Sequence, residues 1–535
     1  MSPPPKPTPP AGPAPAAPEP LLLESDRPLS QSLLWQRQRD FYVERGPKAW
    51  SEDLVPQYIT NNPFLAEIQA GLVAAFLEDC QQAEAGAPAL SPAHPLRILD
   101  LGAGPGRFAC LFLRHLTARL AQRGLAPGSI RYCMADCAPA SLAAWRANPY
   151  LADFAARGLL DFALYESGQP LASLLAGAAP GALVLIANYL FDSLPQDAFV
   201  ISAGAISEAL LTTRSPQPGA GTTPALSQLQ LSWRNVPLRP QRYPDPSWNQ
   251  ILEHYRSRLP AATVLFPTAA LQLLEEARRA AAHAPLLLLA ADKGYTAEDD
   301  LALSQGPPTL EFHGPDCFSQ TVNFDALAKY VSAGGGAALL PDKRSANLSL
   351  CAFLRGRRGE RFPQTAAAYR ESQQAFGPDD LFSLLGWLNA QLESLSLPQA
   401  LAVLRLTRWD PIALLRLFPV ITRQLGGAAR ERSDLRQAVL RTWANRFPVH
   451  PDENVLAFDC GVILLELRYF ADALPLFQAS EQMLGRSAAT SYNLGLCALG
   501  LGRSDDALAF LRAACELDPD FEPARSSLRK LEGKG

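Results

Sequence analysis

Two rhythms of apolar residues divide this chain. In its N-terminal part, short unbroken apolar runs alternate with stretches in which apolar positions return every three or four residues; from residue 364 onward only the second rhythm remains. Unbroken runs read as strands buried on both faces, and the slower rhythm reads as helices with one apolar stripe. The runs predict strands at 98–101, Ile130–Asp136, Leu160–Tyr165, Ala182–Ala187 and Leu286–Ala291, with helices over Leu33–Glu44, Pro63–Ala83, Cys110–Leu116 and Pro139–Ala147. Strands alternating with helices make a parallel sheet covered by helices, an α/β fold. Residues 1–28 are dominated by Pro and Ala, cannot build a core, and are expected to form a disordered or polyproline-like tail, with ordered chain from about Ser30.

The residues just beyond each strand carry the candidate chemistry. The first strand runs into Asp100-Leu101-Gly102-Ala103-Gly104-Pro105-Gly106-Arg107, in which the glycines let the backbone turn tightly beneath a ligand of nucleotide type. The dinucleotide fingerprint needs a glycine where Arg107 stands, which disfavours NAD. The second strand ends on Asp136, a carboxylate suited to paired ribose hydroxyls, a role that can coexist with capping the helix that starts at Pro139. The third ends at Glu166, and the fourth delivers Asn188-Tyr189-Leu190-Phe191-Asp192-Ser193-Leu194-Pro195 to the same end of the sheet. Asp192 reads either as a site residue or as a helix cap.

The glycine loop resembles the first motif of class I S-adenosylmethionine (SAM) methyltransferases. The segment from Asn188 to Pro195 resembles the N-E-x-F-D-A-L-P motif of the MidA family, which includes a mitochondrial complex I assembly factor that methylates a protein arginine. Tyr58-Ile59-Thr60-Asn61-Asn62-Pro63 resembles that family's T-S-P element. Asp292-Lys293-Gly294-Tyr295 resembles its D-Y-G-Y, and Val322-Asn323-Phe324-Asp325 its later V-D-F element, so the likeness spans about Trp35 to Leu340. It implies a Rossmann-like α/β domain that binds SAM through Asp100, Gly102, Gly104, Gly106 and Asp136, with Glu166 on the adenine amino group. Asn188, Asp192 and Asp292 would form the catalytic end. Two positions depart from the pattern: Tyr189 replaces an acidic residue and Lys293 an aromatic one. Arginine methylation benefits from carboxylates that orient the guanidinium and accept its proton, so the acceptor here need not be arginine. Lys293 is placed to neutralise Asp292 or repel a cation.

Between the fourth and fifth strands, about residues 200–262, the alternation in Ala198–Ser202, Ala205–Leu211 and Leu229–Trp233 predicts half-buried antiparallel strands around the Pro/Gly-rich linker Ser215–Pro224. Such an added hairpin would cover the pocket, with Trp233, Tyr243 and Trp248 lining an acceptor groove or filling the hairpin's own core. In the C-terminal part a 34-residue self-similarity pairs Gly461 with Gly495, Ala473-Leu474 with Ala507-Leu508, and Phe477 with Leu511. That period is the one of tetratricopeptide (TPR) repeats. The expected organisation is a tail over 1–28, a methyltransferase-like domain over 29–345, a helical adaptor over 346–445 and TPR-like helices over 446–535. Removal of the last segment is expected to leave cofactor binding intact.

Composition narrows the reading further. The chain has 535 residues, 48% of them hydrophobic and 19% charged, enough for more than one core. A net charge of -4 offers no global attraction for nucleic acid, and the basic stretch Arg355–Arg361 lacks the aromatics that stack bases. The nine cysteines form no C-x-x-C pair, which suits a reducing, cytoplasmic setting, and the six histidines show no ligand spacing, so no metal site is expected. The apolar runs are too short to span a bilayer. The resemblance implies a SAM-dependent methyltransferase, and the repeats add the expectation of a protein acceptor held by them. Its rival is a scaffold that keeps the fold without the chemistry.

Overall fold

The computed structural model describes residues 19–82, 94–123, 127–175, 180–216, 224–356, 361–374 and 376–533. Residues 1–18 of the Pro/Ala tail, the centre of the 215–224 linker and residues 357–360 of the basic stretch lie outside the described residues. Strands are numbered in chain order: β1 (Leu21–Pro28), β2 (Leu96–Leu101), β3 (Ile130–Asp136), β4 (Leu160–Leu164), β5 (Ala182–Asn188), β6 (Asp197–Ser202), β7 (Ala205–Ser215), β8 (Gln230–Pro237), β9 (Ala261–Phe266) and β10 (Leu286–Asp292). The first four helices are α1 (Leu33–Arg45), α2 (Lys48–Ser51), α3 (Pro63–Gln82) and α4 (Arg107–Gln122).

A mixed seven-stranded sheet forms the centre. Strands β4-β3-β2-β5-β10 run parallel in that order, and Ser349–Arg355 and then Ala337–Leu339 complete the far edge, the former antiparallel to β10. Helices cover both faces, so β10 is buried at every position and β5 at all but Asn188; an unbroken apolar run is the composition such strands need. The chain builds β2, β3 and β4 outward in one direction and then crosses back to place β5 on the other side of β2. The two crossovers part between β2 and β5, leaving a crevice at the carboxyl ends of those strands.

The alternating insertion forms a second, antiparallel sheet. One edge of β7 pairs with β8 and the other with β6 and then β1, while β9 pairs with β6. Its inner residues Ala198, Ala209, Leu211 and Leu265 pack on Leu29, Leu34 and Trp35. Here the structure corrects the expectation of a tail through residue 28, because Leu21–Pro28 is a strand. Glu24 anchors it, its carboxylate accepting hydrogen bonds from Ser32 Oγ at 2.5 Å, Leu33 N at 3.0 Å and Thr213 Oγ1 at 2.8 Å. The partner strand lies far along the chain, so no local pattern announces it.

The expected boundary at residue 345 also moves. Ser349–Arg355 is an interior strand of the main sheet, next to its edge, and Pro363–Gln374 packs beyond it, where Asp79 of α3 accepts from the N–H groups of Gln364 (2.9 Å) and Thr365 (2.8 Å). The remaining helices, from Pro378–Gln391 to Glu522–Glu532, form the helical C-terminal region. Its core runs without a break from Leu401 and Val439 to Leu464 and Phe477, across the division expected near residue 445. The 34-residue self-similarity has a physical counterpart. A Cβ at Gly461 would fall 2.8 Å from the Phe477 ring, and one at Gly495 3.0 Å from Leu511, so each glycine lets its helix approach the next at the same offset. Phe477 is fully buried and has no room to retreat. Gly461→Ala is therefore expected to lower stability by about 1–3 kcal/mol through overpacking, read as a drop in thermal midpoint.

Candidate active site

A cavity of about 1090 Å³ opens at the carboxyl ends of β2, β3 and β5. Its floor is the glycine loop, where Gly102, Gly104 and Gly106 have φ of 68°, 55° and 87°, the left-handed region that glycine enters without strain. The N–H groups of Gly102 and Ala103 both donate to the carbonyl of Ala135, at 2.9 and 3.1 Å, which pins the loop to the end of β3. Gly104 is flanked by two tryptophans. Its carbonyl accepts from Trp145 Nε1 at 2.9 Å, and a Cβ on it would meet the Trp50 ring of α2 at 3.4 Å. Gly106 does not line the cavity; it precedes α4, and a Cβ there would fall 2.9 Å from Met134 Cε.

Two carboxylates stand beside this loop. Asp100 is buried and accepts from Tyr132 Oη at 2.8 Å; burial pushes its pKa up to about 7 despite that bond, and the charge of Asp136 adds to the rise. Asp136 is also raised, again chiefly by burial, while the N–H groups of Ala138, Gly104 and Cys137 hold it down. It does not cap the following helix, whose N-cap residue is Ala138; it makes a tight turn, accepting from Ala138 N at 3.0 Å. Glu166, at the cavity rim, pairs with Arg39 of α1 at 2.5 Å.

The residues after β5 form the opposite wall. Asn188 exchanges hydrogen bonds with Gln69 of α3, accepting at 2.7 Å and donating at 3.4 Å. Tyr189, at φ 48°, carries the chain through a left-handed turn that is unusual for a bulky residue and marks local strain at the site. Asp192 lies within the short helical turn Phe191–Ser193 and does not cap it, since Leu190 occupies the N-cap. Its carboxylate accepts from Ser193 Oγ at 2.8 Å, lines the cavity, and is pushed up to about 6 by burial. Asp292 is placed differently from the sequence expectation. It is fully buried and does not line the cavity; its carboxylate accepts from the N–H groups of Asp192 (3.1 Å) and Lys293 (2.9 Å) and so holds the 191–193 turn in place. Burial and the neighbouring Asp192 charge hold its pKa well above the ordinary range. The Lys293 ammonium turns instead to Glu311, at 2.5 Å, so the expectation that it neutralises Asp292 is corrected.

The structure thus brings Asp100, Gly102, Gly104, Asp136, Glu166, Asn188 and Asp192 to one cavity. Several lining residues escape sequence reasoning. Trp50 and Tyr42 stack at 6.2 Å, and the Tyr42 hydroxyl lies 3.2 Å from Cys317 Sγ. Gln38, one helical turn from Tyr42 on α1, is 2% exposed, and neither of its amide atoms has a hydrogen-bond partner among the described residues. Asn61 was within reach of sequence reasoning, since it sits in the Tyr58–Pro63 element; its Oδ1 accepts from Phe108 N at 3.2 Å, in the first turn of α4. Of the three insertion aromatics, Trp233 packs within the second sheet. Tyr243 and Trp248 fill a core with Phe266 and also edge the cavity. Among the described residues no group of three or more His, Cys, Asp or Glu is placed to hold a metal ion, and no helix is long and apolar enough to cross a membrane.

Residues 76–310 match the family described as "Putative S-adenosyl-L-methionine-dependent methyltransferase". No curated protein matches the chain. Among solved structures, a superfamily member from Burkholderia thailandensis bound to S-adenosyl-homocysteine is similar at 14% identity, with a TM-score of 0.40, covering 63% of this chain and 89% of that one. A second, uncharacterized protein from the same organism is similar at 13% identity and a TM-score of 0.39, covering 62% of this chain and 88% of that one. MamA from Desulfovibrio magneticus RS-1 is similar at 20% identity and a TM-score of 0.23, over 29% of this chain and 85% of its own. On the family match, the α/β domain of this chain is that of an S-adenosyl-L-methionine-dependent methyltransferase, and SAM is its cofactor.

Proposed function

We propose that the chain transfers the methyl group of SAM to a protein acceptor, using a Rossmann-like class I domain of MidA type, with C-terminal TPR-like helices docking the acceptor. The observation that carries this reading is the convergence on one cavity of the glycine loop, Asp136 at the end of β3, and Asp192 at the end of β5. Bound SAM would supply an activated methyl group on a sulfonium. Gly102, Gly104 and Asp100 would hold the amino-acid and ribose portions, Asp136 the ribose hydroxyls, and Glu166 the adenine side. Asn188, steadied by Gln69, would orient the acceptor, and Asp192 would take its proton. A carboxylate held at about 6 is half-way between the usual acid range and neutrality, which suits a base that must be ionised yet basic. Asp292 acts here by fixing the Asp192 turn, not by touching the acceptor. Catalysis would otherwise rest on holding acceptor and sulfonium at attack distance.

The equal spacing of the Gly461–Phe477 and Gly495–Leu511 contacts supports the repeat reading of the helical region, and such stacks present extended surfaces for peptides. Calorimetry of the full chain with S-adenosyl-homocysteine (SAH) is expected to show saturable binding, with no heat from NAD. Binding of NAD without SAH would overturn the cofactor reading. The rival scaffold reading draws on Tyr189 and Lys293. It predicts SAH binding without methylation of any protein retained by the helical region.

A further inference from the structure

Arg107 is the residue that breaks the dinucleotide fingerprint, and its side chain leaves the cofactor cavity altogether. Its Nε donates to the carbonyl of Phe447 at 2.9 Å, and its Nη2 donates to both oxygens of Glu453, the longer bond at 2.6 Å. The pair is nearly enclosed, with side-chain exposures of 6% and 13%. Glu453 belongs to the short helix Pro451–Val455 at the entry to the last helical hairpins. The turn that carries it is embedded in the α/β domain: Phe447 is 3% exposed, belongs to the same core as Phe108 and Phe112 of α4, and packs on Tyr150 at 5.5 Å.

A second connection reaches the same helix end. Asn61 accepts from Phe108 N, and three residues earlier Tyr58 donates to Asp410 Oδ2 at 2.7 Å. Asp410 is buried and caps the helix Pro411–Gln424 through Ile412 N at 2.8 Å. The start of α4, immediately after the glycine loop, is therefore held from two sides by the helical region.

We infer that the Arg107–Glu453 pair is a positioning device for the cofactor: the C-terminal helical region fixes the first turn of α4, and with it the glycine loop, in the conformation that receives SAM, a role that rests on the cofactor reading proposed for the cavity. Residues 446–535 are then needed for cofactor binding, contrary to the sequence expectation. Their removal would strip Phe447 from the sheet's core and leave Arg107 buried without its carboxylate, a costly state.

The test is calorimetric titration of the full chain with SAH, alongside thermal melting and the KM for SAM. Glu453→Gln, which alters no residue of the cavity, is expected to weaken SAH binding about tenfold and raise the KM for SAM without a matching change in kcat. Arg107→Lys keeps the charge but cannot reach both Phe447 and Glu453, and is expected to retain part of the affinity. Arg114→Gln removes another contact of α4 with the helical region, at the Ala444 carbonyl two turns further on, and is expected to leave affinity unchanged. Wild-type affinity in both Glu453→Gln and Arg107→Lys, or an equal loss in Arg114→Gln, would overturn the inference. A wild-type chain that binds no SAH would overturn the cofactor reading instead, and the inference with it.

Discussion

Asp136→Asn is expected to weaken SAH binding about 100-fold, close to 3 kcal/mol, while leaving the thermal midpoint unchanged or higher at neutral pH. The asparagine keeps an oxygen that can accept from Ala138 N, so the turn after β3 survives. The variant loses the negative charge and one of two acceptor oxygens, where a donor NH2 would now face ribose hydroxyls. Hydrogen bonds to a charged acceptor are the stronger class, and losing a pair of them sets the size of the effect. Because burial raises the Asp136 carboxyl, wild-type affinity should fall as pH drops through that raised value, whereas the variant's weaker affinity should stay flat with pH. Calorimetry at several pH values checks both statements. Unchanged affinity in Asp136→Asn would remove this residue from the cofactor site.

The second large effect concerns Asp192. Its asparagine variant is expected to bind SAH normally and lose about 100-fold or more in turnover, the usual contribution of a positioned base. It should also be the more stable protein, in a pH-dependent way. The folded carboxyl titrates at about 6, above its ordinary value in an unfolded chain, so the native state holds this proton more tightly than the unfolded state does. The associated stability is fully present below about pH 4 and is lost as pH rises through about 6. Asparagine has no proton to lose. The stability of Asp192→Asn should therefore exceed that of wild type by more at pH 8 than at pH 4, by a difference on the order of 2 kcal/mol between the two pH values. Denaturation at the two pH values measures it. A variant that is less stable at pH 8 but turns over normally would show that Asp192 serves the fold and not the reaction.

Both effects arise where local sequence was most readable. The strands Ile130–Asp136 and Leu286–Asp292 and the helix Pro139–Ala147 were legible because each is a short segment whose burial on one or both faces writes itself into the residue pattern. The glycine loop was legible for a related reason: left-handed backbone admits few residues other than glycine, so a conformational demand becomes a composition. Carboxylates at strand ends were legible because parallel strands deliver their carboxyl ends to one side of the sheet.

Pairings between distant segments left no such trace. β1 lies in a Pro-, Glu- and Leu-bearing stretch with mostly exposed side chains, and only its hydrogen bonds to β7 make it a strand. Asp292 sits at the end of a strand as expected, yet whether a carboxylate faces the cavity or the backbone beneath it depends on how the Phe191–Ser193 turn folds over it. The same holds for Lys293, whose ammonium is claimed by Glu311 across a neighbouring segment. Arg107 could be read locally only as a missing glycine; its partner lies 346 residues away. Sequence by itself determined the parallel strands, most of the helices, the glycine loop and the carboxylates at the strand ends, because those come from short-range sterics and from which faces are buried. Tertiary structure alone decided which carboxylates line the cavity, how Leu21–Pro28 and Ser349–Arg355 join their sheets and where the helical region meets the start of α4, because these are matters of contact between surfaces that chain order does not bring together.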